Sequence, residues 1–256
     1  GIRLVWEKAK TTLMKTFGLL GKNIDYSFSR GYFNDKFEAN KLDCTYKNFD
    51  LESIESFKEI KENSIAFSGF NVTIPYKEDI LPYLDSVDSE AKEIGAVNTI
   101  KIKNKKLIGY NTDHYGFINS LLPHLKPHHQ KALILGTGGA SKAVAFALNK
   151  MGIDYEYVSR SKSEKIKHTY DSIKPSDIEA CKLIINCTPL GTFPEIETCP
   201  EIPYDSVSDQ HLLFDLIYNP AETQFLKNGV LNGAKIINGL EMLKIQAEKS
   251  WEIWNS

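Results

Sequence analysis

Between Lys131 and Ser161 the chain carries a run of small residues that could hold a phosphate. Gly136-Thr-Gly-Gly-Ala-Ser141 follows an apolar segment, Lys131 to Leu135, and precedes a stretch of helical character, Lys142 to Met151. Gly136 can bend the chain sharply out of a strand and Gly138 can let backbone approach a pyrophosphate; Gly139, Ala140 and Ser141 are small enough for a helix start to lie close on a sheet. That helix start then offers free N–H groups and the positive end of its dipole to an anion. A plain tight turn has the same composition, and it is the strand before and the helix after that supply the context of a dinucleotide site. A second strand, Asp154 to Val158, completes a βαβ unit and runs into Ser159-Arg160-Ser161-Lys162. Two cations and two hydroxyls stand where a carboxylate would accept a ribose 2′-OH. They suit a 2′-phosphate, hence NADP, although a solvated basic turn has the same make-up.

Other polar residues gather once the elements around them are laid out. A strand at Thr16 to Leu20 leads through a loop to a helix from about Ser29, whose Tyr32, Phe33 and Phe37 share an apolar face. Ser29 fits the N-cap of that helix, whereas Ser27 has no such structural role. Strands at Cys44 to Phe49 and Ile65 to Phe70 flank a helix at Leu51 to Glu62. Pro75 then fits a first helical position, which places Lys77 in the first turn of a helix to about Leu84, where a cation opposes the dipole and is ordinarily solvated. Val97 to Ile102 and Leu107 to Asp113 flank Lys103-Asn-Lys-Lys106 as a hairpin. Counting back from its tip pairs Asn98 with about Asn111, which brings Asn98, Thr112 and Asp113 to one end; Asp113 also fits a cap for a helix from His114.

The second half continues the α/β alternation. A strand at Leu183 to Thr188 ends at Pro189-Leu-Gly191, a turn of the kind found at the carboxyl edge of a parallel sheet, and Thr188 and Pro189 are cofactor-side candidates there. A strand at Leu212 to Tyr218 precedes Asn219-Pro-Ala-Glu222, a helix start by its cap, proline and glutamate. A short last strand ends at Gly239, another cofactor-side candidate, and a helix from Leu240 to about Trp254 carries the polar Gln246 at its middle.

Composition bounds the class. Lys and Arg number 31 against 33 Asp and Glu, a net charge of −2, so there is no nucleic-acid footprint. No apolar run approaches a membrane span, and a cytoplasmic location is the expectation. Cys44, Cys181, Cys187 and Cys199 form no Cys-x-x-Cys pair, and neither a disulfide framework nor a metal site is expected. Residues 1–13 precede Met14 and the first strand and supply no motif, so they are expected to be a non-native or extended segment, dispensable for activity.

Ser27-x-Ser29, Asn71-Val-Thr73-Ile-Pro-Tyr-Lys77, Gly95-Ala-Val-Asn98-Thr, Asn111-Thr-Asp113, the glycine turn, Asn186-x-Thr-Pro-x-Gly191 and Gly239-Leu-x-Met-Leu-x-x-Gln246-Ala occur in one order. Together they resemble shikimate dehydrogenase, over essentially Met14 to Ser256. The resemblance implies an α/β fold of two domains: an N-terminal substrate-binding domain at 14–112 plus 240–256, and a Rossmann-like parallel-sheet NADP-binding domain at 113–239. It implies NADPH-dependent reduction of 3-dehydroshikimate to shikimate, with small molecules as the only partners, no nucleic acid or membrane, and a monomer or homodimer. Carried over by position, Lys77 and Asp113 look like the catalytic pair. Ser27 and Ser29 look like carboxylate binders, while Thr73, Asn98, Asp113, Gln246 and Tyr218 look like further substrate contacts. Gly136, Gly138, Gly139, Ala140 and Ser141 look like the pyrophosphate loop, and Ser159, Arg160 and Ser161 match an adenosine-phosphate clamp.

Three departures bear on these expectations. Tyr26-Ser-Phe-Ser-Arg30 stands for the usual His-Ser-x-Ser-Pro, Glu164 stands near the place of a second clamp arginine, and Thr192 stands where a methionine is usual. Two alternatives stay open: an enzyme that also takes quinate, with relaxed or NAD preference, and a non-catalytic NADP-binding regulatory protein, which would be expected to lack an intact Lys/Asp pair.

Overall fold

The structure, a computed structural model, describes residues 14–256; the reading of residues 1–13 lies outside them. Its first sheet is built from β1 (Lys15–Gly21), β2 (Cys44–Asp50), β3 (Gly69–Val72), β4 (Ser86–Val87), β5 (Thr99–Lys103) and β6 (Lys106–Tyr110), in the spatial order β2-β1-β3-β5-β6-β4. β1 runs parallel to β2 and β3, and the β5–β6 hairpin joins antiparallel to β3. Helices α1 (Phe28–Ala39), α2 (Phe57–Glu62) and α3 (Ser89–Ile94) cover it.

Helix α4 (Asp113–Leu121) leads to the second sheet, which contains β7 (Lys131–Leu135), β8 (Asp154–Ser159), β9 (His168–Thr169), β10 (Leu183–Asn186), β11 (Leu212–Asp215) and β12 (Lys235–Ile237). It is parallel throughout, in the order β12-β11-β10-β7-β8-β9. β10 and β11 are buried along their whole length, as strands covered on both faces must be. Helix α5 (Gly139–Lys150) packs with α4 on one face; α6 (Pro175–Ala180) and α7 (Gln224–Leu231) cover the other. The chain runs outward from β7 to β9, then returns to β10 and runs the other way. The crevice at that reversal is where a doubly wound sheet takes its ligand, and the turns after β7 and β10 both lie there.

Helix α8 (Leu240–Trp254) ties the two sheets together. Met242 sits in the core under β7 and β10, while Ala247 and Trp254 sit with Phe17, Phe33 and Tyr46 in the core of the first sheet.

Several local expectations need correction. The segment after Pro75 is not a helix: the Thr73 carbonyl accepts from the Tyr76 N–H at 3.0 Å, the Ile74–Pro75 peptide is cis, and turns run on to a short 3₁₀ segment at Leu81–Tyr83. This is a turn and not a helix start, so Lys77 does not sit in the first turn of a helix of its own. Ser29 is not the cap of α1; Ser27 holds that position, yet its hydroxyl makes no capping bond. Asp113 is the first residue of α4 and caps nothing, while the Asn111 side chain receives the His114 N–H at 3.2 Å.

The helix expected from Leu51 is a 3₁₀ turn at Ile54–Ser56 followed by the six residues of α2. The strand expected from Ile65 begins at Gly69, because Ser64–Ala66 is a 3₁₀ turn that leaves Ile65 in solvent. Glycine is required at residue 69, where a Cβ would overlap the Trp254 indole nitrogen. Helix α5 starts at Gly139, three residues before Lys142. Helix α7 starts after Thr223, whose hydroxyl accepts from the Leu226 N–H, and not at Asn219.

Candidate functional site

Lys77 and Asp113 meet. Nζ of Lys77 donates to Oδ2 of Asp113 at 2.6 Å, with both side chains largely buried. The lysine comes from the turns after β3. The aspartate opens α4, its carboxylate lying at the positive end of that helix. What brings them together is the hairpin: Thr99 pairs with Tyr110, and the Asn98 N–H reaches the Tyr110 carbonyl at 3.1 Å. Its tip, Asn104-Lys105, has both residues at positive φ, as a two-residue hairpin turn requires.

Beneath the pair lies a connected polar network. The Asn98 amide has Asp113 Oδ1 at 3.1 Å, the Thr112 hydroxyl at 2.8 Å and Gln246 Oε1 at 3.2 Å within reach of its two protons. Its carbonyl accepts from the Thr112 N–H at 2.7 Å, which fixes the amide's orientation. Asn71 continues the network, accepting from the Tyr46 hydroxyl at 2.8 Å and donating to Ser250 Oγ at 3.1 Å. Such a network, satisfied and buried, is rigid and positions Asp113 from below. Asn71, Tyr46 and Ser250 were not expected at the site from sequence reasoning, except that Asn71 opens a motif segment. Thr73 stands at the start of the lysine turn, with its N–H on the Leu20 carbonyl.

Ser27 and Ser29 are part-buried at the mouth of α1, and Ser27 Oγ donates to Asn48 Oδ1 at 3.3 Å. Residues on either side of Ser27 reach the second sheet: the Tyr26 ring packs edge-on to Phe193 at 5.1 Å, and Phe28 to Tyr218 at 5.4 Å. Tyr218 thus sits across the cleft on the serine loop.

A cavity of about 510 Å³ opens on the other side of Lys77. Gly136, Gly138, Gly139, Ser159, Arg160, Ser161, Thr188 and Pro189 line it, as does Lys77 itself. Gly136 has φ of +102°, which only glycine adopts readily. A Cβ on Gly138 would meet nothing within 4 Å, so backbone is open there to a close ligand. Gly139 has a different reason to be glycine: a Cβ would lie 2.8 Å from the Lys77 Cβ and 3.6 Å from that of Ala96. The lysine stem therefore rests on the nucleotide turn. Ala140, Ser141 and Gly239 do not line the cavity. Ser141 is buried and donates back to the Gly138 carbonyl at 2.5 Å, and Gly239 packs against the Leu216 carbonyl. Open backbone at a helix start beside an exposed arginine that forms no ion pair among the described residues is chemistry that fits a dinucleotide phosphate.

The turn after β10 is held by a set of buried groups that the sequence did not flag as a unit. Asn186 Oδ1 accepts from the N–H and hydroxyl of Thr188, and its amide donates to Asp215 Oδ1 at 3.2 Å. Burial pushes the Asp215 carboxyl up to about 6, against hydrogen bonds from Thr223, Ile217 N–H and Asn186 that favour its anion. Burial also pushes the Cys187 thiol, on the same turn, well above its ordinary range, so it stays protonated. His114, next to Asp113, is pushed below its ordinary value, chiefly by burial. All four cysteines are free, and no helix among the described residues is long and apolar enough to cross a membrane.

Residues 19–100 match the family model described as the shikimate dehydrogenase substrate binding domain. The chain is 41% identical to a shikimate dehydrogenase (NADP(+)) of Clostridium beijerinckii, covering 94% of this chain and 92% of that protein. Among solved structures, a shikimate dehydrogenase in complex with NADP+ superposes with a TM-score of 0.82 at 36% identity, over 94% of this chain and 90% of the other. A shikimate 5-dehydrogenase from Thermus thermophilus in complex with NADP(H) and shikimate gives 0.83 at 31%, over 94% and 93%. With a doubly wound sheet, a lysine–aspartate pair at its crevice and relatives at this identity over nearly the whole chain, the protein belongs to the shikimate dehydrogenase family.

Proposed function

We propose that the chain reduces 3-dehydroshikimate to shikimate reversibly with NADPH, and that Lys77 and Asp113 carry the proton transfer. The observation that carries this reading is the 2.6 Å pair they form at the edge of a cavity lined by the glycine turn and by Ser159 to Ser161. NADPH, when bound, supplies the hydride. As the carbonyl carbon accepts it, the C=O π electrons move to oxygen, and the Lys77 ammonium gives that oxygen a proton. Asp113 holds Nζ in place and keeps the ammonium compensated, while Asn98 holds Asp113, Gln246 holds Asn98, and both offer amide groups to ring hydroxyls. Ser27 and Ser29 take the carboxylate with neutral donors, which limits the desolvation penalty while fixing orientation.

The division into a substrate side at 14–112 with 240–256 and a nucleotide side at 113–239 is supported by the two sheets, with α8 returning to the first. Small-molecule partners and a cytoplasmic location go with this reading. NADPH oxidation on addition of 3-dehydroshikimate tests it directly. Turnover with 3-dehydroshikimate well above that with the quinate analogue is the expected result, and no oxidation with either would overturn it.

A further inference from the structure

Tyr170 directly follows β9 and packs its ring on the core beneath β7 and β8. Among the described residues, its hydroxyl is the one buried side-chain polar atom without a hydrogen-bond partner. Folded proteins keep few such groups, and this one is carried by a residue that lines a ligand cavity, its oxygen covered so that a small turn of the ring brings it to a ligand. Tyr170 lines the same cavity as Ser159, Arg160 and Ser161. Strand register places it there: Ser159 pairs with Thr169, so the next residues along, Arg160 and Tyr170, emerge side by side. Burial pushes the phenol up to about 12, the neighbouring Arg160 cation opposing that shift only in part, so the group is a hydrogen-bond donor at any working pH.

We propose that the Tyr170 hydroxyl donates a hydrogen bond to the 2′-phosphate of NADP(H), forming with Arg160 the second arm of the phosphate clamp. This rests on the NADP reading above. It gives the site a donor where sequence comparison offers only the exposed carboxylate of Glu164 in place of a second arginine. A phosphate dianion has more acceptor positions than one guanidinium fills. An O–H bond to an anion in a partly desolvated pocket is charge-assisted and stronger than the same bond in water. Nothing else in the cavity competes for the hydroxyl, because it has no other partner to give up.

The test is binding, not turnover. Dissociation constants of NADPH, NADH and 2′,5′-ADP are measured for the unaltered protein and for Tyr170→Phe, with melting temperatures in the absence of nucleotide. Tyr170→Phe should weaken NADPH and 2′,5′-ADP by about tenfold or more, as loss of a bond to a charged group does, and leave NADH within about twofold. The nucleotide-free variant should melt no lower than the parent, since the lost hydroxyl bonds nothing in the fold. Unchanged NADPH affinity, an equal loss on NADH, or a clear drop in melting temperature would each overturn the assignment. If the unaltered protein itself shows no preference for the 2′-phosphate, it is the NADP reading that fails; if it does and Tyr170→Phe keeps that preference, only the role of Tyr170 fails.

Discussion

The two sides of the cleft are finished to different degrees. Around Asp113 and Asn98 the buried polar atoms have protein partners, and the network reaches from α8 through the hairpin to β2 and β3. On the nucleotide side, Gly138 faces open space, Arg160 is exposed and forms no ion pair among the described residues, and the Tyr170 hydroxyl has no partner. A proton-transfer pair must be held in place before substrate arrives, because small misplacements cost large factors in rate. A phosphate-binding surface has its groups completed by the ligand. The difference predicts that substitutions around Asp113 and Asn98 lower kcat, and that those at Gly138, Arg160 and Tyr170 weaken nucleotide binding.

The sharpest way to break that comparison is at Lys77. Lys77→Ala should lower kcat by roughly 10²–10⁴-fold, the range of general acid–base catalysis, with NADPH affinity within a few-fold. Asp113→Asn should lower kcat as well, and the double variant should lose less than the product of the two, because the residues act as one unit. A near-normal kcat for Lys77→Ala would show that the proton comes from elsewhere.

Asp215 tests whether the turn after β10 is as rigid as the first side. Its folded-state value of about 6 lies above its ordinary 3.8, so its contribution to stability is fully present below about pH 4 and is lost as pH rises through about 6. At 1.36 kcal/mol per pH unit, the change is capped at about 3 kcal/mol. Asp215→Asn removes this titration, so urea unfolding at pH 4.5 and pH 7.5 should show the stability difference between variant and parent shifting in the variant's favour at the higher pH. A pH-independent difference would mean that the hydrogen bonds from Thr223, Ile217 and Asn186 hold Asp215 near its ordinary value.

Gly138 and Gly139 sharpen the comparison, since they are neighbours with opposite surroundings. Gly138→Ala meets nothing in the fold and has extended backbone with negative φ, so it should melt like the parent and lose only nucleotide affinity. Gly139→Ala presses on the Lys77 stem and should cost about 1–3 kcal/mol of stability while lowering kcat. Equal kinetic profiles for the two would show that the lysine does not rest on the nucleotide turn in any way that matters.

How much of this could be read from the chain differs from residue to residue. The strand–turn–helix at Lys131 to Lys150, the hairpin with its tip at Asn104-Lys105 and the bounds of α8 follow from local period and turn chemistry, and the structure has them where the sequence puts them, apart from the three extra residues at the start of α5. Pro75 misled because proline at a helix start and proline in a turn look alike in sequence; only the Thr73–Tyr76 hydrogen bond separates them. The reason for Gly139 lies 62 positions away at Lys77, and that for Gly69 lies with Trp254, so neither has a local signal. Tyr170 carries no motif at all, and its place beside Arg160 is a matter of β8–β9 register.

Ser27 carries the smallest expected effect and the most specific. It occupies the cap position of α1 without bonding the helix, its hydroxyl lying instead 3.3 Å from Asn48 Oδ1. A serine that capped would lose about 1 kcal/mol of stability on conversion to alanine. Ser27→Ala should therefore leave the melting temperature nearly unchanged. If the hydroxyl turns from Asn48 to a substrate carboxylate, one bond is exchanged for another, and the net loss is about 0.5–1.5 kcal/mol, a rise of about two- to tenfold in KM for shikimate with kcat and NADPH affinity little altered. Ser29→Ala is the companion measurement, because Ser29 lies inside the first turn of α1 and also owes the helix nothing as a cap. Should Ser27→Ala weaken NADPH and spare shikimate, the carboxylate pocket lies elsewhere. The contacts of Tyr26 with Phe193 and of Phe28 with Tyr218 would then serve only to join the two sides of the cleft.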